Sequence, residues 1–473
     1  MISASMTALL DAQRSAFMAA RPEDVSVRRD RLLRLKALLK DEGDALARAM
    51  SHDFGHRSHE QSLLTDIMPA NSALNYALKH LRRLTRPERR RATFPLGLIG
   101  GRAEVRHEPK GVVGIVSPWN FPVVLAIGPL AQALAAGNRA MLKPSEFTPE
   151  TSALLARAVA SRFAPEELAI VTGGAEIGQV FCALPFDHLL FTGATAIGRH
   201  VARAAAENLV PVTLELGGKS PTIVGKGADV ARAAERIAIG KMMNAGQICL
   251  APDYLLVPAD RQDAIVGAVA AAAALLYPRV LDNDDYTSIV NARHRDRLQG
   301  LIDDAVGKGA AATVVNPGHE DFAASNGHKL PLTILTGVDD TMAVMQEEIF
   351  GPVLPVLTYR RIDEAIDYVN AHDRPLGLYY FGNDADERER VLGRTISGGV
   401  TVNDVVMHIA MEDLPFGGIG PSGMGAYHGP EGFRTFSHAR AVYHQPRWDI
   451  AALAGLKPPY GKATRATLAR GLK

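Results

Sequence analysis

Along the first ninety residues, apolar side chains return at helical spacing. Leu32, Leu35, Leu39 and Leu46 recur among Arg, Lys and Asp, the pattern of helices with one buried stripe. From Gly111 the texture changes, and short β-branched runs alternate with alanine-rich stretches. Val112–Val116, Ala140–Lys143, Leu168–Thr172 and His188–Thr192 are predicted strands, with predicted helices over Gly128–Ala136 and Thr151–Phe163. This βαβα rhythm predicts a parallel sheet covered on both faces. A second round begins after Gly217, with predicted strands Thr222–Val224, Asp253–Val257 and Ala312–Val315 and predicted helices Asp260–Leu276 and Ile362–Ala371. Thr93 to His107 reads as two short strands around Gly100 and Gly101. The expected class is α/β with two doubly wound parallel-sheet domains, and 473 residues suffice for several packed units.

Composition removes several function classes. Lys plus Arg number 52 and Asp plus Glu 51, so no global field exists to hold nucleic acid or an anionic bilayer. The arginines between Arg82 and Arg91 are interrupted by Pro87 and Glu88 and lack interleaved aromatics, so they read as a solvated helix end. The longest alanine-rich apolar run, Ala264–Leu276, is shorter than the roughly 20 residues of a membrane helix. Asp11 and Arg14 interrupt the apolar start, so no signal peptide is expected, and the scattered apolar residues after Trp448 give no sign of a lipid anchor. Two cysteines without a C-x-x-C exclude a disulfide scaffold and a dithiol or thiolate-zinc site. A cytoplasmic, reducing location is the expectation.

Several strings imitate known motifs. Gly218-Lys219-Ser220 ends like a phosphate-binding loop, but Thr213 stands where its first glycine belongs. Gly418 to Gly423 has G-x-G-x-x-G spacing without a preceding strand, and reads as a loop needing positive φ. His56, His59 and Glu60 lack a matched third ligand, and no metal site is expected. Asp53-Phe54-Gly55 matches a kinase tripeptide without the loops that accompany it.

Four strings carry chemistry. Cys249 follows Asn244, Gly246 and Gln247, and is either a small buried hydrophobe, as Cys182 is expected to be, or a nucleophile. Glu215 closes the apolar run Val210–Leu216 before two glycines, and is either an exposed strand-end carboxylate or a half-buried general base with a raised pKa. Asn120 lies between Pro118 and Pro122 after a predicted strand, and is either a turn residue or an oxyanion donor. Phe191 to Gly198 passes from strand to helix with Gly193 and Gly198 five apart, a spacing suited to a pyrophosphate at a helix N-terminus.

Together with Lys143-Pro144-Ser145-Glu146 and Glu348-Ile349-Phe350-Gly351-Pro352, these strings resemble the aldehyde dehydrogenase superfamily over about residues 51–438. Val402 to His408, Leu414 to Gly418, Ser422 to Gly429 and Phe433 to His438 resemble its class 3 branch. Ile248 to Tyr254, with Leu281-Asp282-Asn283, is similar to its bacterial coniferyl aldehyde dehydrogenases. The resemblance implies an NAD(P)-binding Rossmann-like domain over 1–92 and 109–217 and a catalytic domain over 218–421. It also implies bridging strands at 93–108 and 439–446, a tail over 447–473, and a homodimer. It implies that Cys249 attacks the aldehyde as thiolate, that Asn120 and the Cys249 N–H hold the oxyanion, and that Glu215 activates water to release a free acid. CoA-acylating relatives generally lack that glutamate.

For the cofactor, the resemblance places Lys143 and Glu146 at the adenosine ribose, Gly193 and Gly198 at the pyrophosphate and Trp119 along the nicotinamide. Glu348 and Phe350 fall at the nicotinamide ribose. Glu146 favours NAD by repelling a 2′-phosphate, although the branch also tolerates NADP. Met407, Ile409, Met411 and Phe416 are expected to offer apolar surface to an aromatic aldehyde of the coniferaldehyde type. Medium-chain or fatty aldehydes are the nearest alternative substrates, and a cofactor-independent cysteine esterase is the alternative of another class.

Overall fold

The structure, a computed structural model, describes residues 2–94, 96–325 and 327–472. Sixteen described strands form three sheets. In chain order these are β1 Glu88–Arg90, β2 Arg102–Pro109, β3 Val112–Val116, β4 Arg139–Lys143, β5 Leu168–Ile170, β6 His188–Thr192, β7 Val212–Glu215 and β8 Pro221–Val224. They continue with β9 Tyr254–Pro258, β10 Ala311–Val314, β11 Thr333–Thr336, β12 Val353–Tyr359, β13 Gly377–Phe381, β14 Gly399–Val402, β15 Gly423–Met424 and β16 Ser437–His444.

The first sheet has the order β15-β7-β6-β3-β4-β5 and is parallel except where β15 pairs with β7. Its residues alternate between two cores, as a pleated strand covered on both faces requires. Val113, Ile115, Leu142 and Leu190 face the core built with helices Val25–Asp53, Met68–Leu84 and Val124–Ala136. Val112, Met141, Leu189 and Phe191 face helices Ala175–Cys182 and Thr195–Ala206. Leu32, Leu35, Leu39 and Leu46 are all buried, as their spacing predicts. The second sheet, β10-β11-β12-β9-β8-β13-β14, is parallel except at its β10 edge and has its own core. The chain leaves the first sheet at Glu215 and enters the second at Pro221.

The third sheet is antiparallel, β1-β2-β16, with β16 on one edge. Here the expected strand pair within Thr93–His107 is corrected. Among the described residues only β2 is a strand there, and Leu96–Ile99 is a 3-10 turn. Leu96 N donates to Thr93 O at 2.8 Å and Gly101 N to Leu96 O at 2.9 Å, so local bonds satisfy a backbone that a ladder would otherwise need. The strand pairing with β2 comes instead from Glu88–Arg90, inside the arginine-rich segment.

Candidate active site

In the first sheet, strand order reverses between β3 and β6, and ligands of open α/β sheets bind beyond the carboxyl ends at such a point. Register puts Val116 beside both Lys143 and Phe191, and Thr192 beside Glu215. Ser117–Asn120, Lys143, Gly193 and Glu215 therefore share one rim. The second sheet meets it with the amino ends of its strands. Gly217–Ser220 leads into β8, Cys249 lies just before β9, and Glu348–Phe350 lies just before β12.

The approach to Cys249 is tightly bent. Helix Val230–Met242 ends, and Asn244, Ala245 and Gly246 follow with φ of 51°, 51° and 73°. Such left-handed runs are costly for residues bearing a Cβ and persist only when surroundings over-determine them. The Gln247 side chain supplies much of that determination. Its Nε2 donates to Asn244 O at 2.9 Å and Ser288 O at 3.0 Å, and its Oε1 accepts from Val290 N at 2.9 Å. Gly246 has no alternative, because a Cβ there would collide with the Gly351 carbonyl. Cys249 then sits half-buried in a turn closed by Ala251 N to Ile248 O at 3.0 Å. Cys182 is a buried core residue whose thiol burial pushes up to about 11.

Asn120 is tied to this loop from the opposite wall. It is 3% exposed, and its Nδ2 donates to Gln247 O at 3.1 Å. Asn244 Nδ2 donates in turn to Asn120 O at 3.1 Å and Gln247 O at 3.2 Å. An amide nitrogen has two hydrogens, and one of those on Asn120 is free among the described residues.

Glu215 is 3% exposed, not half-buried as expected, and both carboxyl oxygens are buried without a hydrogen-bond partner among the described residues. Burial drives its pKa well above the carboxylate range. The G-x-G-x-x-G string causes part of that burial. Gly423 pairs with Glu215, Leu216 N donates to Ser422 O at 3.0 Å, and Gly420 and Gly423 take the positive φ expected of that loop. Room left by Gly217 is filled by the Glu348 carboxyl, since a Cβ at Gly217 would collide with it. Glu348 is itself pushed up to about 8, by burial first and by the Asp253 charge second. Burial, then the charges of Glu348 and Glu215, raise the Cys249 thiol. The backbone N–H groups of Cys249 and Leu250 oppose this without outweighing it.

A dinucleotide fits the residues along the rim. Helix Thr195–Ala206 has no side-chain cap and no acidic residue in its first turn, leaving N–H groups for an anion. Gly193 N donates to Glu215 O at 3.0 Å, and a Cβ there would lie 2.7 Å from the Phe191 ring. Gly198 is buried and permits close helix–strand contact, because a Cβ would press 2.6 Å from Leu216 Cδ2. Lys143 Nζ donates to Glu146 Oε2 at 2.9 Å. Burial raises the Glu146 carboxyl, but the bond and charge of Lys143 outweigh it and hold the group below its ordinary value. Phe350, at φ 53°, meets Trp119 edge to face with ring centroids 5.3 Å apart, and Glu348 keeps Oε1 unpartnered.

The loop expected to offer apolar surface divides. Met407 and Met411 are exposed, Ile409 is half-buried, and Phe416 is core, stacked on His428 at 5.3 Å. Beside Phe416, His408 Nε2 and His428 Nδ1 are buried without partners among the described residues, as is Glu412 Oε2 near Tyr427. Burial pushes Glu412 up to about 7 and His408 and His428 down to about 4. Sequence reasoning also missed Gln61, whose Oε1 accepts from Asn244 N at 3.1 Å and whose Nε2 donates to Thr287 Oγ1 at 3.0 Å, and it missed Arg57 and Asp66. It places Gln247 only as a polar neighbour of Cys249, and the others carry no local signal because the segments they hold lie far along the chain.

A model of the aldehyde dehydrogenase family matches residues 3–442. The chain is 54% identical over 471 residues to a probable coniferyl aldehyde dehydrogenase of Caulobacter vibrioides, covering 99% of this chain and 97% of that one. It is 52% identical over 459 residues to a coniferyl aldehyde dehydrogenase of a Pseudomonas species, covering 97% and 94%. Its fold is similar to substrate-bound Staphylococcus aureus AldH, with TM-score 0.91, 36% identity and 99% of each chain covered. It is also similar to the P. syringae indole-3-acetaldehyde dehydrogenase AldA in complex with NAD+, with TM-score 0.84, 26% identity, and 94% and 89% covered.

Proposed function

Because the chain belongs to the aldehyde dehydrogenase family, we propose that it oxidises an oxygenated aromatic aldehyde of the coniferaldehyde type to its carboxylic acid, with NAD(P) and through a thioester on Cys249. The observation carrying this reading is a buried carboxyl without a partner, Glu215, whose charge acts on a thiol in a loop that Asn120 grips from the facing wall.

Cys249 loses its proton to solvent and adds to the aldehyde carbon as thiolate. The free Asn120 N–H and the Cys249 backbone N–H hold the oxygen that becomes negative, and each such donor lowers the barrier by roughly 3–4 kcal/mol. A nicotinamide held along the rim would supply the hydride acceptor that leaves the thioester on Cys249. Glu215 then takes a proton from water as that water attacks the thioester, and the acid leaves. Trp119 and Phe350, whose rings meet edge to face, would line the nicotinamide, and Glu348 would hold its ribose. Gly193, Gly198 and the uncapped helix would hold the pyrophosphate, and the Lys143–Glu146 pair would hold the adenosine ribose. A Glu146 carboxylate kept ionised favours NAD over NADP.

An oxygenated ring is favoured over a fatty chain by the unpartnered polar atoms of Glu412, His408 and His428 beside Phe416 and Tyr427. A site built to hydrogen-bond hydroxyl groups discriminates strongly against analogues that lack them. The outer edge of β16 supports a homodimer formed through the third sheet, and the two cysteines without a disulfide support a cytoplasmic location. No helix among the described residues is long and apolar enough to cross a membrane. The test is kcat/KM for coniferaldehyde, benzaldehyde and hexanal, each with NAD and with NADP. Coniferaldehyde with NAD is expected to lead. Hexanal in the lead overturns the substrate class, and ester hydrolysis without any NADH signal overturns the reaction.

A further inference from the structure

Arg57 and Asp66 form an ion pair at 3.2 Å with both side chains wholly out of solvent. Asp66 sits in a single π-helical turn, Leu63–Ile67, a form frequent at functional sites. A buried ion pair is a poor stabiliser, since desolvation offsets most of its attraction, and apolar residues of equal volume often serve as well. Its contacts show another use. Arg57 Nη1 donates to Asn120 O at 2.9 Å. Asp66 Oδ1 accepts from Val123 N at 3.0 Å and Val124 N at 2.6 Å, at the start of the helix that follows Asn120. That helix start has no side-chain cap of its own, so Asp66 supplies one from another element. The Arg57 guanidinium is also fixed between the rings of Phe54 and Phe121, 5.2 and 5.1 Å from their centroids.

The pair thus holds the Asn120 segment at both ends, by a carbonyl on one side and two amides on the other. We propose that Arg57 and Asp66 are positioning residues that set the reach of the Asn120 amide toward the oxygen of the aldehyde bound at Cys249. The inference rests on the reading of Asn120 as the oxyanion donor. Neither residue touches the aldehyde. Misplacing a reacting group by about 1 Å can cost on the order of a hundredfold in rate, so loss of either hold is felt in the chemical step.

The experiment is a double-mutant cycle read by the single-turnover rate of NADH formation. Asn120→Ala alone is expected to slow that rate at least a hundredfold. Arg57→Lys keeps the charge and loses the two-armed grip. It is expected to slow the rate about tenfold to a hundredfold with the Kd for NAD and the aldehyde KM little changed. In the Asn120→Ala background, Arg57→Lys is expected to cost less than about threefold, because the group it positions is gone. Should Arg57→Lys not fold, the Arg57→Gln/Asp66→Asn variant, which removes both charges together, is read in the same cycle. Equal losses in both backgrounds, or a folded variant with unchanged rate, overturn the positioning role. An unimpaired Asn120→Ala overturns instead the assignment of the oxyanion donor.

Discussion

Glu215 keeps two buried oxygens free of hydrogen bonds, an expensive arrangement for a group that must become charged. Its proposed use as a water-activating base requires the ionised form, so turnover is expected to fall as pH drops through its raised pKa. Glu215→Gln is expected to keep a single NADH burst while slowing steady turnover about 10²- to 10⁴-fold, measured by stopped-flow against steady state. Normal turnover would withdraw the assignment. Glu146 makes a second residue-scale prediction. Glu146→Ala is expected to raise the NADP/NAD ratio of kcat/KM by about tenfold or more, because like charges meeting at one site cost several kcal/mol. At this scale the sequence was informative wherever a residue sat in a dense local string. Cys249, Glu215 and Asn120 could be singled out, with a structural alternative beside each. Arg57 and Asp66 could not, since one is bonded to a carbonyl 63 positions away and the other to amides 57 and 58 away.

Among elements, the bend before Cys249 matters most. Three successive left-handed residues turn the chain from helix to thiol, and the third lies against the Gly351 carbonyl. Gly246→Ala is expected to lower stability by at least about 1–3 kcal/mol through positive φ and the collision together. Chemical denaturation checks this, and the alkylation rate of Cys249 is expected to change with it. Strands β3 to β6, β8 and β9 were legible from their β-branched runs, because burial on two faces leaves continuous apolar segments, whereas β11 to β14 drew no prediction. The error over Thr93–Ile99 has the opposite cause. There Leu96 N bonds back to Thr93 O and Leu96 O accepts from Gly101 N, and the leucines belong to a turn in which Leu98 is exposed.

Taken whole, the molecule buries groups of both titration types, and their effects on stability run in opposite directions. His188 is pushed down from 6.5 to about 3 by burial and by the Lys110 charge, with its Nε2 2.9 Å from Thr213 Oγ1. His408 and His428 are pushed down to about 4. The unfolded chain binds protons on these rings below pH 6.5 and the folded chain does not, so stability declines as pH falls from 6.5 toward 4. Glu348 and Glu412, raised from 4.5 to about 8 and about 7, act the other way. The folded chain keeps protons that the unfolded chain releases, so stability declines as pH rises from 4.5 toward 8. His188→Gln is expected to flatten the acid side of a Tm-against-pH profile between pH 4 and 6.5 and leave the alkaline side unchanged. An unaltered acid side would exclude His188 as a contributor.

The thiol stands at the entrance to one set of strands, whereas the glycine and lysine ends belong to the exits of another. On the proposed reading, such a seam separates two inheritable traits. Grafting the 407–416 loop from a relative should retool what the enzyme accepts while its redox partner stays the same, and trading the residues around Glu146 should do the reverse. On that reading, lineages and protein engineers tune diet and currency independently, provided the seam itself is left in register.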